Sequence, residues 1–496
     1  MERFCVIAFA CFLTINCANL SAQTNWIKYS NNPVKEWSAQ ASCIIEEGTI
    51  KMWYASGHLG VSRIKAAWSN DGINWNNYND GNPVLPLGEL SEWDYAWQDT
   101  PEILKIEDTY YLFYYGDSTT RLLYFIGTYD SITCAIGLAK SNDAENWTKS
   151  TFNPVFTKGD SIDFDGRWIE SPTVIFNENT SQFYMWYSGM PWGLICKTGM
   201  AISDDAEIWQ KHPNNPIVSV GPFFYDFVGV YTPCVIKSEN IYEMWYSAMP
   251  PVEESWDSLT IAYAVSIDGI NWLKYPGNPV YDRFYPPFSS DSDGVSTWAP
   301  EVIYISDSNK YLMYYDGSNG INLAMSDRDV LFSESCDFYI SEDISINQGE
   351  YIQLQALGGI LYHWQPEAGL DDPFASSPIA SPIETTTYTV LIVSEECINT
   401  KQVTVYVEPV SISNNSYFDF GLKLYPNPAS INSEIFANCN FISANIVVSN
   451  IFGQIVYSGT IENNHRVLDS NLLPSGLYNV KIIESKNIFH MKLIIQ

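Results

Sequence analysis

Short runs of alternating apolar and polar residues recur along this chain in one fixed order. Each unit opens on a Pro-led run: Pro101-Glu102-Ile103, Pro172-Thr173-Val174, Pro233-Cys234-Val235 and Pro300-Glu301-Val302. An aromatic run follows, as in Lys51-Met52-Trp53-Tyr54, Leu112-Phe113-Tyr114-Tyr115, Tyr184-Met185-Trp186-Tyr187, Glu243-Met244-Trp245-Tyr246 and Leu312-Met313-Tyr314-Tyr315. Such β-branched and aromatic stretches favour buried pleated strands. A third run of small residues (Gly137-Leu138-Ala139, Gly199-Met200-Ala201) leads into Ser-x-Asp-x-x-x-Trp, and then into Asn-Pro-Val or Asn-Pro-Ile. That segment appears at Ser69–Trp75, Ser141–Trp147, Ser203–Trp209 and Ser266–Trp272, and a fifth copy stops at Ser326-Asp327. Its missing part stands at the other end of the chain, where Asn25-Trp26-Ile27-Lys28-Tyr29 and Asn32-Pro33-Val34 read like Asn271–Tyr275 and Asn278–Val280. A repeat divided between the two ends predicts a closed ring: a five-bladed β-propeller whose N-terminal strand completes the last blade and hides two sheet edges. The turn Asp of each copy is expected to cap its turn through backbone N–H groups.

Within each blade the Pro-led strand is expected to lie innermost, so residues around each Pro face a central funnel. The segments ahead of them carry acids and flat rings: Trp93-Asp94-Tyr95-Ala96-Trp97-Gln98-Asp99, Asp163-Phe164-Asp165-Gly166-Arg167-Trp168-Ile169-Glu170, Tyr225-Asp226-Phe227, and Asp291-Ser292-Asp293 with Trp298. Rings that stack on C–H faces and carboxyls that bind hydroxyls or move protons suit a sugar.

Beyond the blades the pattern changes. Ile352–Ala356, Thr386–Val390 and Val403–Val407 alternate as in a small β-sandwich, so all of the expected structure is all-β: a propeller followed by two small β-sandwich domains. The expected division is a signal peptide over 1–22, the propeller over 23–333, an immunoglobulin-like module over 334–410, a polar linker over 411–422 and a terminal domain over 423–496. The signal peptide rests on Arg3, the apolar run Val6–Ile15 and the small pair Ser21-Ala22. That run is too short to span a bilayer, and no later stretch could, so export without a transmembrane segment is expected.

Composition narrows the partners. The formal net charge is -32, which disfavours nucleic acid and anionic membranes. Cys5, Cys11 and Cys17 fall in the leader, and the other cysteines form no Cys-x-x-Cys pair. With five His, zinc or Ser-His-Asp chemistry has little material, and no metal site and no required cofactor are expected; a structural cation on the ring axis is left open. A monomer is expected.

The propeller segments resemble the five-bladed glycoside hydrolases of family 43 and its relatives in families 32, 62, 117 and 130. Trp298-Ala299-Pro300-Glu301-Val302 with Tyr311–Tyr315 is similar to their Trp-Ala-Pro-acid and Tyr-Tyr-Leu strands. Ile169-Glu170-Ser171-Pro172 resembles the Glu-Gly-Pro segment that carries the general acid, and Gln98-Asp99-Thr100-Pro101 a displaced Asp-Pro segment that carries the base. The resemblance implies Glu170 as acid, Asp99 as base, Glu301 or Glu102 as tuner of the acid, and a sugar site with Trp97, Trp168, Trp298 and Tyr231. The pattern departs from the family in blade one, where Gln40-Ala41-Ser42 offers no acid, and in blade four, where Tyr231-Thr232-Pro233 offers none. Two readings follow: a hydrolase of poly- or oligosaccharides with paired carboxylates, or a glycan-binding or adhesion propeller without catalysis.

Residues 336–410, with Tyr362–Pro366, Gly369–Pro373 and Thr387–Val390, resemble PKD-related immunoglobulin-like repeats of secreted Bacteroidetes proteins; that resemblance implies a disulfide between Cys336 and Cys397. Leu424–Pro428, Ser449–Gln454, Leu473–Tyr478 and Lys492–Gln496 resemble the type A sorting domain of the type IX secretion system. That implies the type IX machinery as a partner and a secreted or outer-membrane surface-attached protein.

Overall fold

A computed structural model of the chain describes residues 26–58, 61–118, 134–192, 195–238, 240–251, 259–282, 297–317, 319–327, 336–408, 423–425, 429, 434–438, 443–462, 465–469, 473–484 and 487–496. The expected leader, the linker and the acids Asp291 and Asp293 lie outside the described residues. The chain divides into two compact units, the first ending at Val407 and the second beginning at Glu408.

The first unit is built round a five-bladed β-propeller. The innermost strands are Ala39–Glu46, Trp97–Ile106, Trp168–Asn177, Gly229–Ser238 and Trp298–Ile305. Each pairs antiparallel with its aromatic strand, which pairs with the small-residue strand. The last blade takes its outer strands from the chain start: Ile27 and Lys28 pair with Met325 and Ala324, and Lys35 and Glu36 with Ile321 and Gly320. Asn32 completes the closure, its amide bonding both the N–H and the C=O of Leu323, as Asn153 does at Leu138, Asn215 at Met200 and Asn278 at Tyr263.

The repeated Trp explains how blades adhere. Each one meets, edge to face, an aromatic ring on the second strand of the preceding blade: Trp147 on Trp53, Trp209 on Phe113, Trp272 on Trp186, Trp75 on Tyr314, and Trp26 on Trp245. Centroids are 5.6–6.5 Å apart at 72–85°, the geometry the ring quadrupoles prefer. The preceding Asp holds the turn as the sequence indicates. Asp71 Oδ1 accepts the N–H groups of Ile73 and Asn74, and Asp143, Asp205 and Asp268 repeat the arrangement. Those donors hold the Asp71 carboxyl well below the usual carboxylate range. At Gly72 the φ is 74°, and a Cβ there would come 2.7 Å from the Tyr314 hydroxyl; Ala144 and Ala206 take the same left-handed conformation in the next two turns, at φ of 63° and 67°.

The β-sandwich module that follows the propeller, expected from the sequence to be immunoglobulin-like, packs against blades four and five within the same unit. Leu391, Val393 and Ile398 join Trp26, Leu273 and Tyr275 in one apolar cluster. Its main sheet runs Ile344–Asn347, Ile398–Glu408, Thr386–Val393, Leu361–Gln365, over a core with Trp364, Tyr388 and Val403. A disulfide joins Cys336 to Cys397 with a Cα–Cα distance of 5.9 Å, 61 residues apart. Closing such a loop is worth about 4 kcal/mol in the chain-entropy treatment.

Among its described residues the second unit forms a seven-stranded sheet in the order Lys423–Tyr425, Glu434–Asn438, His465–Asp469, Ile455–Glu462, Ser443–Asn450, Gly476–Glu484, Asn487–Ile495. Ile446, Val448, Val480, Ile482 and Leu493 form its core. No helix among the described residues is long and apolar enough to cross a membrane.

Candidate active site

A bulge repeated five times builds the centre of the ring. In each innermost strand the register slips between Ala39 and Ser42, Asp99 and Glu102, Glu170 and Thr173, Tyr231 and Cys234, Trp298 and Glu301. The bulged residues Gln40, Thr100, Ser171, Thr232 and Ala299 have φ of 38–51°, a strained value for residues with a Cβ. Neighbouring side chains brace their amides. Ser188 Oγ accepts the Thr232 N–H, Ser247 Oγ that of Ala299, Thr100 Oγ1 that of Ser171, and Asp316 Oδ1 that of Gln40. The bulge separates two levels of side chains along the axis.

The first level consists of Ala39, Asp99, Glu170, Tyr231 and Trp298, one from each blade. It brings together four of the expected site residues. Asp99 and Glu170 are half-buried on adjacent strands. Burial pushes Asp99 up to about 6, against the pull of the Thr100 N–H and the Ser62 hydroxyl. Burial and then the Asp99 charge push Glu170 up to about 7, while the Trp168 indole N–H favours its ionised form. Trp168 stacks on Tyr115 at 5.7 Å and 8°, and Tyr231 is buried close to Glu170. Trp97 and Trp168 begin their strands and pack, half-buried, on the core between blades two and three. The Arg167 guanidinium lies over the exposed ring of Trp192.

Asp316 was not legible as a site residue. It stands one residue before the end of blade five's aromatic strand, Lys310–Gly317, directly opposite Trp298. Where blades three and four place Ser188 and Ser247, blade five places this carboxylate. Among the described residues its Oδ2 is buried without a hydrogen-bond partner, and burial and then the Asp99 charge push it well above the usual range. The sequence signal is the acid directly after Tyr314-Tyr315, at the place where Ser188 follows Trp186-Tyr187 and Ser247 follows Trp245-Tyr246.

Glu102 and Glu301 belong to the second level, beyond the prolines, with Ser42, Thr173 and Cys234. Here each side chain accepts a backbone N–H from the next blade. Ser42 takes Ile103, Glu102 takes Val174, Thr173 takes Val235, Cys234 takes Val302 and Glu301 takes Cys43, at 2.6–3.2 Å. This ring of bonds ties the innermost strands together round the axis. It borders a cavity of about 590 Å³ that opens towards the strand ends, lined further out by Ile44, Ile236 and Ile303. Burial pushes Glu102 up to about 7, and burial with the Glu102 charge pushes Glu301 well up. A carboxyl raised on folding stabilises fully below its unfolded value near 4.5 and loses that contribution as pH rises through about 7. Glu102→Gln, a neutral isostere, is therefore expected to stabilise the first unit by on the order of 2 kcal/mol at pH 8 and to be close to neutral at pH 4, read by urea unfolding at both values.

The acids just ahead of the strands do not reach the funnel, contrary to the expectation that they converge there. Asp94, Asp165 and Asp226 are buried within their blades and paired with Lys149, Lys211 and Lys274 at 2.5–2.6 Å. Tyr114 and Tyr187 donate to the first two. The signal for this pairing is the Lys two residues after each turn Trp.

Comparison with known proteins adds the following. Residues 423–496 match the family described as secretion system C-terminal sorting domain. The chain ends in a secretion-sorting domain. The protein is accordingly secreted or attached at the cell surface. No curated protein matches the chain. Among solved structures it is similar to a glycosyl hydrolase from Bacteroides ovatus, at 16% identity and TM-score 0.48, covering 61% of this chain and 94% of that one. It is similar also to a thermostable family-43 glycoside hydrolase, at 17% and 0.45, covering 60% and 90%. A β-1,2-mannobiose phosphorylase from Listeria innocua, solved with β-1,2-mannobiose, is similar at 14% and 0.46, covering 62% and 97%.

Proposed function

We propose that this protein is an exported glycoside hydrolase acting on polysaccharides or oligosaccharides, with Glu170 and Asp99 as its acid and base. One observation carries this reading. Two carboxyls occupy equivalent places on adjacent innermost strands; burial pushes Asp99 to about 6, and burial with the Asp99 charge pushes Glu170 to about 7. Paired carboxyls displaced in this way can divide acid and base work near neutral pH. Protonated Glu170 gives its proton to the leaving glycosidic oxygen as the bond to the anomeric carbon breaks. Ionised Asp99 takes a proton from the water that attacks that carbon, and solvent restores both groups. The two carboxyls would stand about 6.5–9.5 Å apart for an inverting reaction. Asp316 acts as a positioning residue: it holds the Gln40 bulge and, kept protonated by burial, lies beside Asp99. Trp168, Trp298 and Tyr231 supply the rings of the sugar site, and Glu102 and Glu301 serve ring closure rather than catalysis.

A second reading, a glycan-binding propeller without catalysis, is favoured by Ala39, which leaves blade one without an acid at the level of Asp99. The full chain and its Glu170→Gln variant, incubated with plant and algal polysaccharides, separate the two. Reducing-sugar release that the variant loses supports hydrolysis. Binding without release, equal in both proteins, supports the lectin-like reading.

A further inference from the structure

The seam between blade four and the immunoglobulin-like module holds a cluster that the sugar site does not use. Three side chains converge there: Asp268 from the blade-four turn, and His363 and Glu367 from the module, their ligand-capable atoms all within 4.8 Å of one another. His363 is fully buried, its ring stacked on Phe374 at 4.8 Å and 13°. Its Nε2 faces Glu367 Oε1 at 3.4 Å and Asp268 Oδ2 at 3.8 Å. Among the described residues, His363 is the only ion-pair partner that either carboxylate has.

The geometry points to a divalent transition-metal site of the zinc type, made of His363 Nε2, Asp268 Oδ2 and Glu367 Oε1, which clamps the module onto the propeller. Metal–ligand bonds of about 2.0–2.1 Å in a tetrahedron place neighbouring donor atoms about 3.3 Å apart. The Gln365 amide occupies the fourth corner. Its Nε2 lies 3.3 Å from His363 Nε2, 3.1 Å from Asp268 Oδ2 and 3.4 Å from Glu367 Oε1. The NH2 group there stands where a cation's ligand would, donating to Asp268 Oδ2 and Glu367 Oε1, the two carboxylate oxygens that a metal would draw in. A half-turn of the amide brings its oxygen to the same corner as a fourth ligand. Asn271 Nδ2 donates to both carboxylates, at 2.9 Å to Asp268 and 3.1 Å to Glu367, and fixes their orientation from outside. A mixed imidazole and carboxylate set suits zinc or cobalt better than calcium or magnesium, which prefer six or more oxygens. The turn stays intact on binding because Asp268 holds it through Oδ1 and offers Oδ2.

The test uses the full chain stripped with a chelator, then titrated with Zn²⁺ and with Co²⁺. One ion per chain is expected, with the intense visible absorption of tetrahedral cobalt and a raised unfolding midpoint for the first unit. Glu367→Ala removes an exposed ligand and leaves the fold, so it is expected to weaken binding at least ~10-fold. Asp268→Asn keeps the turn acceptor, removes one ligand charge and is expected to act likewise. Absence of Zn²⁺ and Co²⁺ binding would overturn the site, as would binding that both variants leave unchanged, which would place the ion on other groups such as the free thiols. Both results are independent of any hydrolytic activity.

Discussion

On the acid–base reading proposed above, Glu170→Gln is expected to lower kcat on a natural polysaccharide by about 10²–10⁴-fold, the range in which general acid catalysis contributes. The amide keeps the shape of the carboxyl and its place on the strand next to that of Asp99 but has no proton of suitable acidity to give. The loss therefore depends on the leaving group. An aryl glycoside with an acidic phenol leaves without protonation, so the variant should keep much of its rate on that substrate. Assay of both substrates separates lost acid catalysis from lost folding, which would reduce both equally. Equal loss on both substrates, with the fold intact by circular dichroism, would assign Glu170 to binding.

Trp26→Ala destabilises the first unit by about 3–5 kcal/mol, the usual range for a large aromatic truncated in a core. Trp26 is 2% exposed and meets Trp245 edge to face at 6.5 Å, with Tyr311 at the same distance. It is the turn Trp of blade five, supplied from the start of the chain. Its loss opens a cavity between blades four and five and weakens the pairing of Ile27 and Lys28 with the last blade. The adjacent Ile27, 67% exposed, is the control: Ile27→Ala should stay within about 0.5 kcal/mol. Urea unfolding of both variants reads the difference, and equal midpoints would mean that the N-terminal strand does not close the ring.

The ring was readable because it is made of local grammar. Strand alternation, the Ser-x-Asp turn and the Asn-Pro turn each act over a few residues, and their fifth, divided copy indicates closure. The candidate site was readable only where it repeats that grammar. Asp99 and Glu170 share a position before their prolines, and the structure places them on one level. Glu301 or Glu102, each next to a proline, was expected to tune the acid. The bulge, a backbone event set by contacts between blades, moves them to the next level and into backbone hydrogen bonds. Asp316 depends on a hairpin crossing and a neighbouring blade's amide, which no local pattern encodes. Asp94, Asp165 and Asp226 were misread for the same reason, since their partners are lysines 46–55 residues away.

The most direct measurement of the acid–base pair is kcat/KM against pH for the full chain on a substrate that it cleaves. The account predicts a narrow bell, with an acid limb near 6 where Asp99 gains its proton and a basic limb near 7 where Glu170 loses its own. Asp99→Asn should remove the acid limb together with most of the rate. A rate that stays level from pH 5 to pH 9, or a basic limb that survives in Glu170→Gln, would contradict the assignment.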